Sequence, residues 1–87
     1  MPTYKIQVRP EAAKSLSRLP KEIQVRILTA LRRLAQDPRG PGSVKLRDHA
    51  SEYRTRVGDY RIVYAIYDDV LAVLVMRIAH RKDAYRP

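Results

Sequence analysis

Apolar residues recur at three different spacings along this chain, and each spacing predicts a different element. From Thr3 to Arg9, Tyr4, Ile6 and Val8 alternate with Lys5, Gln7 and Arg9, the pattern of a half-buried strand. Pro10 interrupts it and is placed to open a helix from Glu11, because proline tolerates the first helical turn. Ala12, Ala13, Leu16 and Leu19 give that short helix an apolar side, and Pro20 limits it. A second helix runs from Lys21 to about Gln36. Its stripe is Ile23, Ile27, Leu31 and Leu34, at spacings of four, four and three, widened by Leu28, Ala30 and Ala35. Arg26, Arg32 and Arg33 fall off the stripe. The two helices form an antiparallel pair that turns near Arg18-Leu19-Pro20.

Asp37 to Ser43 holds two prolines and two glycines and reads as a loop. Tyr53 to Val57 then predicts a strand, Gly58-Asp59 a two-residue turn, and Tyr60 to Tyr67 the returning strand. Asp68-Asp69 turns the chain again, and Val70 to Ile78 makes the last strand. Both long strands are apolar on each face. Central strands have that character, with the helices on one side and a loop or the C-terminal tail on the other. The expected fold is α+β: a small antiparallel sheet packed against an N-terminal helical hairpin, in the order β-α-α-β-β-β. At 87 residues the chain is expected to form a single domain spanning 1–87.

Charge narrows the partners. Eighteen Lys and Arg stand against nine acids. The first 42 residues hold nine basic and three acidic side chains, and the remaining 45 hold nine and six, so placement rather than density distinguishes the second half. A surplus of nine positive charges favours nucleic acid, an acidic protein partner or an anionic membrane. No segment is long and apolar enough for a membrane span, and the N-terminus lacks the apolar run of a signal peptide, so a cytoplasmic protein without a membrane partner is expected. The absence of Cys removes thiol nucleophiles and thiolate metal sites, and His49 and His80 have no acidic cluster beside them. Neither a metal nor a cofactor is expected.

Pairing Val57 with Tyr60 across Gly58-Asp59 fixes a register. It sets Arg56 opposite Arg61 and Arg54 opposite Val63. Residues two apart on a strand share a face, so Arg54, Arg56 and Arg61 are expected to converge. Like charges directly opposite one another are unfavourable unless an anion sits between them. Arginine on a water-facing sheet is common for no reason but solubility, and both readings stand at this point. His80 alone is read as a packed or capping residue, and Tyr85 alone as a lid on the core. The course of the tail that carries His80, Arg81 and Tyr85 does not follow from alternation.

The chain resembles the RelE-type toxins of the RelE/ParE toxin–antitoxin superfamily over nearly its whole length. The resemblance rests on the Pro-Glu-Ala-Ala helix start at Pro10, the helix ending Leu34-Ala35-Gln36-Asp37-Pro38, and Lys45-Leu46-Arg47 before the hairpin. It rests most specifically on Tyr53-Arg54-Thr55-Arg56-Val57-Gly58-Asp59-Tyr60-Arg61-Ile62-Val63-Tyr64 and on Ile78-Ala79-His80-Arg81-Lys82-Asp83-Ala84-Tyr85-Arg86.

That resemblance implies an endoribonuclease that enters the ribosomal A site and cleaves messenger RNA without metal, inhibiting translation. The ribose 2′-hydroxyl attacks the adjoining phosphate, leaving a 2′,3′-cyclic phosphate and a 5′-hydroxyl. Implied partners are a cognate antitoxin, the ribosome with its message, and operator DNA indirectly through the antitoxin complex. By resemblance, Arg54 and Arg56 match the basic pair of the catalytic strand, where the best-known bacterial member has lysines. Arg61 matches the arginine that stabilises the transition state, Arg81 a suggested leaving-group acid, and Tyr85 a residue that orients or stacks on substrate. Lys45, Arg47, Arg77, Lys82 and Arg86 are the expected nucleic-acid contacts. Arginine stays protonated, so Arg56 is a poor general base but a good phosphate clamp. His80, if brought close, would take the 2′-hydroxyl proton, since imidazole titrates nearest neutrality. Two rivals share the fold: a ParE-like inhibitor of DNA gyrase, a class that usually lacks the full basic constellation and the terminal tyrosine, and an inactive member that only binds nucleic acid or antitoxin.

Overall fold

The computed structural model describes residues 3–46 and 51–83. The elements are β1 (Lys5–Val8), α1 (Pro10–Ser17), α2 (Lys21–Gln36), β2 (Val44–Lys45), β3 (Glu52–Val57), β4 (Tyr60–Tyr67) and β5 (Ala72–His80). A single 3-10 turn, Asp68–Val70, joins β4 to β5. The expected α+β class, with helices on one face of a small sheet, is what the chain forms. The sheet runs β1-β5-β4-β3-β2 and is mixed. β1 lies parallel to β5, pairing Ile6 with Val73 and Val8 with Val75, while every other pairing is antiparallel. The expected order lacked β2, whose two residues are too few to show alternation.

The helix stripe explains the core. Ile27, Leu31 and Leu34 of α2 are buried with Ala12 of α1 against Ile62, Tyr64 and Ile66 of β4 and Val73, Val75 and Ile78 of β5. The stripe is narrower than its apolar residues suggested. Leu28 is 42% exposed and Val25 is 57% exposed, because a helix lying on a sheet buries about a 100° arc and no more. No helix among the described residues is long and apolar enough to cross a membrane.

Gly58 sits at φ +60 while Asp59 keeps a negative φ, the geometry of a II′ hairpin with glycine at its first central position. A Cβ built on Gly58 would lie 3.4 Å from the Arg26 guanidinium nitrogens. Gly58→Ala is therefore expected to cost about 1–2 kcal/mol for the left-handed backbone. Urea denaturation checks it, and an unchanged midpoint would show that the hairpin does not need glycine.

Candidate active site

The β3–β4 hairpin has the register expected from its turn. Val57 pairs with Tyr60, Arg56 with Arg61, Thr55 with Ile62 and Arg54 with Val63. β5 completes two rows across three strands, because Val63 pairs with Arg77 and Arg61 with Ala79. One row reads Arg54, Val63, Arg77; the next reads Arg56, Arg61, Ala79. Directly paired residues project to the same side. Four arginines thus occupy six neighbouring positions on the sheet face away from the helices. Arg61 stands in the middle of its row and is only 9% exposed. Its Nη1 donates to the Tyr60 carbonyl oxygen at 3.3 Å. Val63 and Ala65, on the same face of β4, are buried beside it.

A β-bulge decides which residues of β5 join this face. Tyr64 pairs with Val75 and Val63 with Arg77, so Met76 is an extra residue without a cross-strand partner on β4. One inserted residue reverses the alternation beyond it. Val73 and Val75 point to the core before the bulge, and Ile78 does so after it. Arg77 and Ala79 are thereby carried onto the arginine face.

The same reversal turns His80 away from that face. Its cross-strand neighbour is Tyr60 on the helix side, not Arg61. The two rings meet edge to face with centroids 5.6 Å apart. His80 Nδ1 accepts from the Lys82 backbone N–H at 3.3 Å, and its carbonyl accepts from the Asp83 N–H at 2.8 Å, closing a turn. His80 thus packs on Tyr60 and closes the end of β5, and the closeness to the arginines on which its role as a base was conditional is not found on this face. Arg81 is exposed, and its backbone N–H donates to the Asp59 carbonyl at 2.8 Å. The tail thus stays against the β3–β4 turn for one residue past the strand. Lys82 is exposed in that turn. Lys45 pairs with Tyr53, whose side is that of the helices, so Lys45 lies at the sheet edge rather than among the arginines. Arg47, Tyr85 and Arg86 lie outside the described residues.

At the opposite end of the sheet lies a polar clasp that no motif announced. Arg39, from the loop after α2, grips Asp68 with two bonds of 3.0 and 2.9 Å, and Tyr4 of the N-terminal segment donates to the same carboxylate at 2.6 Å. Arg39 also donates from Nε to the Tyr53 hydroxyl at 3.1 Å. Tyr53 stacks on Tyr64, whose hydroxyl donates to the Pro38 carbonyl at 2.7 Å. The loop is thus pinned to β3, β4 and the β4–β5 turn at once. The Arg39 guanidinium, then the Tyr4 hydroxyl, hold the Asp68 carboxyl down at about 2, below its ordinary 3.8. A depressed carboxylate contributes stability that is complete above the ordinary value and lost as pH falls through the folded one. The stability difference between wild type and Asp68→Asn is expected to shrink between pH 4 and pH 2, read by thermal melts (roughly the interval between the two values). A constant difference across that interval would refute the clasp's ionic character.

Comparison with known proteins agrees with this architecture. The family described as ParE toxin of type II toxin-antitoxin system, parDE, matches residues 6–85. Toxin RelG of Mycobacterium tuberculosis is 31% identical over 84 residues, covering 95% of this chain and 97% of the relative. Toxin RelE of the same organism is 33% identical over 84 residues, covering 95% and 87%. The crystal structure of the toxin–antitoxin complex RelBE2 from Mycobacterium tuberculosis superposes at a TM-score of 0.80 with 28% identity, over 91% of this chain and 99% of that one. With its hairpin register, its mixed sheet under a helical pair and these relatives, the chain belongs to the RelE/ParE superfamily of type II toxins as a RelE-type member.

Proposed function

We propose that this toxin is a metal-independent endoribonuclease that cleaves messenger RNA in the ribosomal A site and so inhibits translation. The observation that supports this most is the arginine face, with Arg61 enclosed at its centre and flanked by Arg56. Building like charges opposite one another is unfavourable in the free protein and becomes favourable when a phosphodiester lies between them. A guanidinium largely removed from water also acts more strongly on developing charge than a solvated one.

In this reading the 2′-oxygen bonds to phosphorus as the phosphorus–5′-oxygen bond breaks. The 2′-hydroxyl proton leaves, and the departing 5′-oxygen gains one. Arg61 and Arg56 hold the non-bridging oxygens through the pentacoordinate state, and Arg54 clamps the same phosphate from the next row. Arg81, brought beside the turn by its bond to Asp59, faces charge on the leaving oxygen. Tyr85 orients or stacks on a base. Lys45, Arg47, Arg77, Lys82 and Arg86 contact the flanking backbone. With His80 turned toward Tyr60, the first proton passes to a phosphate oxygen or to the ribosome rather than to imidazole. A cognate antitoxin neutralises the toxin and carries it to operator DNA; the RelBE2 relative was solved as a toxin–antitoxin complex.

The test is a translation reaction programmed with a defined message and the purified protein, followed by analysis of the RNA ends. The expected product carries a 5′-hydroxyl opposite a 2′,3′-cyclic phosphate. The matching family is described as ParE toxin, and resemblance to that class implies a second reading, inhibition of DNA gyrase by protein contact. Gyrase-dependent DNA breaks with an intact message would select that reading instead.

A further inference from the structure

The arginine face ends at β3, but basic character continues around its edge. β2 pairs only with Tyr53 and Arg54, so from Thr55 onward the outer side of β3 meets no strand of β2. In its place opens a cleft of about 650 Å³ between the second half of α2 and the loop 37–43. Arg32 and Arg33 of α2 line one wall and Arg56 of β3 the other, with Asp37 the one acid among the lining residues. Leu34 and Pro41 supply apolar floor, and Ser43 and Thr55 supply hydroxyls. The clasp through Arg39 and Tyr64 fixes the loop that forms the far wall. Gly42, at φ +90, lies within van der Waals reach of β3, since a Cβ on it would stand 3.6 Å from the Thr55 hydroxyl.

Three features choose the occupant. Three arginines against one acid among the described lining residues favour an anion. A volume inside the roughly 300–1,000 Å³ of small-molecule sites, with an apolar floor, suits a base and sugar better than a bare phosphate. Arg56 belongs both to this cleft and to the arginine rows, so a chain held by one is led into the other. We propose that the cleft between α2 and the loop 37–43 is a nucleotide subsite, which takes a single-stranded RNA residue flanking the phosphate on the arginine face. Arg32 and Arg33 hold that nucleotide's phosphate while its base lies on Leu34 and Pro41. The inference rests on the ribonuclease reading and extends it from one phosphate to a tract of message.

The experiment titrates the isolated protein with 2′-O-methyl RNA, which cannot be cleaved, as a dinucleotide and as a hexanucleotide. Wild type is expected to bind the hexanucleotide at least about tenfold more tightly, since base stacking and charge pairing accumulate along a strand. In the double variant Arg32→Ala/Arg33→Ala that advantage should collapse. The slope of log affinity against log salt should fall by about 0.7 for each phosphate that the variant no longer neutralises. Amide shifts of Gly40, Gly42, Ser43 and Thr55 should move with the hexanucleotide and not with the dinucleotide, a readout in the wild-type protein that needs no variant. Equal affinity for the two lengths, or a double variant that keeps the advantage, overturns the subsite. So does a double variant that loses only an acidic antitoxin peptide, because the cleft would then be a protein interface. If message is still cut in the translation reaction when the subsite fails, the ribonuclease reading stands without it; if no message is cut, both fall.

Discussion

Arg61→Ala is expected to lower message cleavage by about 10²–10³-fold per bound complex, the effect of deleting one preorganised donor to a transition-state oxyanion. The size follows from position. Arg61 is enclosed between neighbouring strands, 9% exposed, whereas Arg56 opposite it is exposed. A desolvated guanidinium gives more to developing charge, and its fixed strand position costs little reorganisation at the moment of reaction. Arg61→Lys keeps the charge and loses the planar fork, so it should recover part of the rate and not all of it. End mapping in a translation reaction gives the rate, and a thermal melt of each variant separates a failure of chemistry from a failure to fold. A folded Arg61→Ala protein that cleaves at the wild-type rate would remove the arginine face from the mechanism.

Tyr64→Ala is expected to destabilise the fold by about 3–5 kcal/mol, the usual cost of truncating a buried aromatic. That is a large share of the roughly 5–15 kcal/mol that holds a domain together. Tyr64 is fully buried, stacks on Tyr53 at 6.0 Å between ring centroids, and donates to Pro38 at 2.7 Å. Tyr64→Phe keeps the ring and leaves the Pro38 carbonyl without its donor, for about 1–3 kcal/mol. Burial pushes the Tyr64 hydroxyl up to about 12. A raised folded value contributes stability that is complete below the ordinary value of 10.0 and is lost as pH rises through 12, so the wild-type advantage over Tyr64→Phe should fade above pH 10. Urea denaturation of the three proteins measures both effects. If Tyr64→Phe costs as much as Tyr64→Ala, the hydroxyl rather than the ring carries the residue's contribution.

Much of the architecture was legible because it is local. Ile27, Leu31 and Leu34 announced the buried side of α2 by spacing alone, and Gly58-Asp59 fixed the hairpin and with it the pairing of Arg56 with Arg61. Pro10 at the first turn of α1 set a helix start one residue from where it was expected. The parallel pairing of β1 with β5 was not legible. It joins segments some 67 positions apart, as Lys5 with Ala72, and no residue in either names its partner. The clasp was equally silent. Tyr4, Arg39 and Asp68 are common surface types in three separate segments, and only their meeting gives them a role. The proline and acidic turn signals marked the segments of Arg39 and Asp68 as loop and turn, and alternation placed Tyr4 on the apolar side of a strand. The cleft behind Arg56 is of the same kind, since α2, the loop and the edge of β3 form it together.

The sequence by itself determined the helices, the hairpin and the strand partners of Arg54, Arg56 and Arg61, because each depends on spacings of a few residues or on one turn. Only the tertiary structure decided the faces taken by the residues at the end of β5. Unbroken alternation would put Arg77 on the side of Val73 and Val75, and His80 on the other side. The core instead takes Val73, Val75 and Ile78, and one extra residue at Met76 makes that possible. Where a bulge falls is set by how two strands pack on the helices above them, a long-range fit that strand periodicity does not contain. That single insertion places Arg77 among the arginines and turns His80 toward Tyr60.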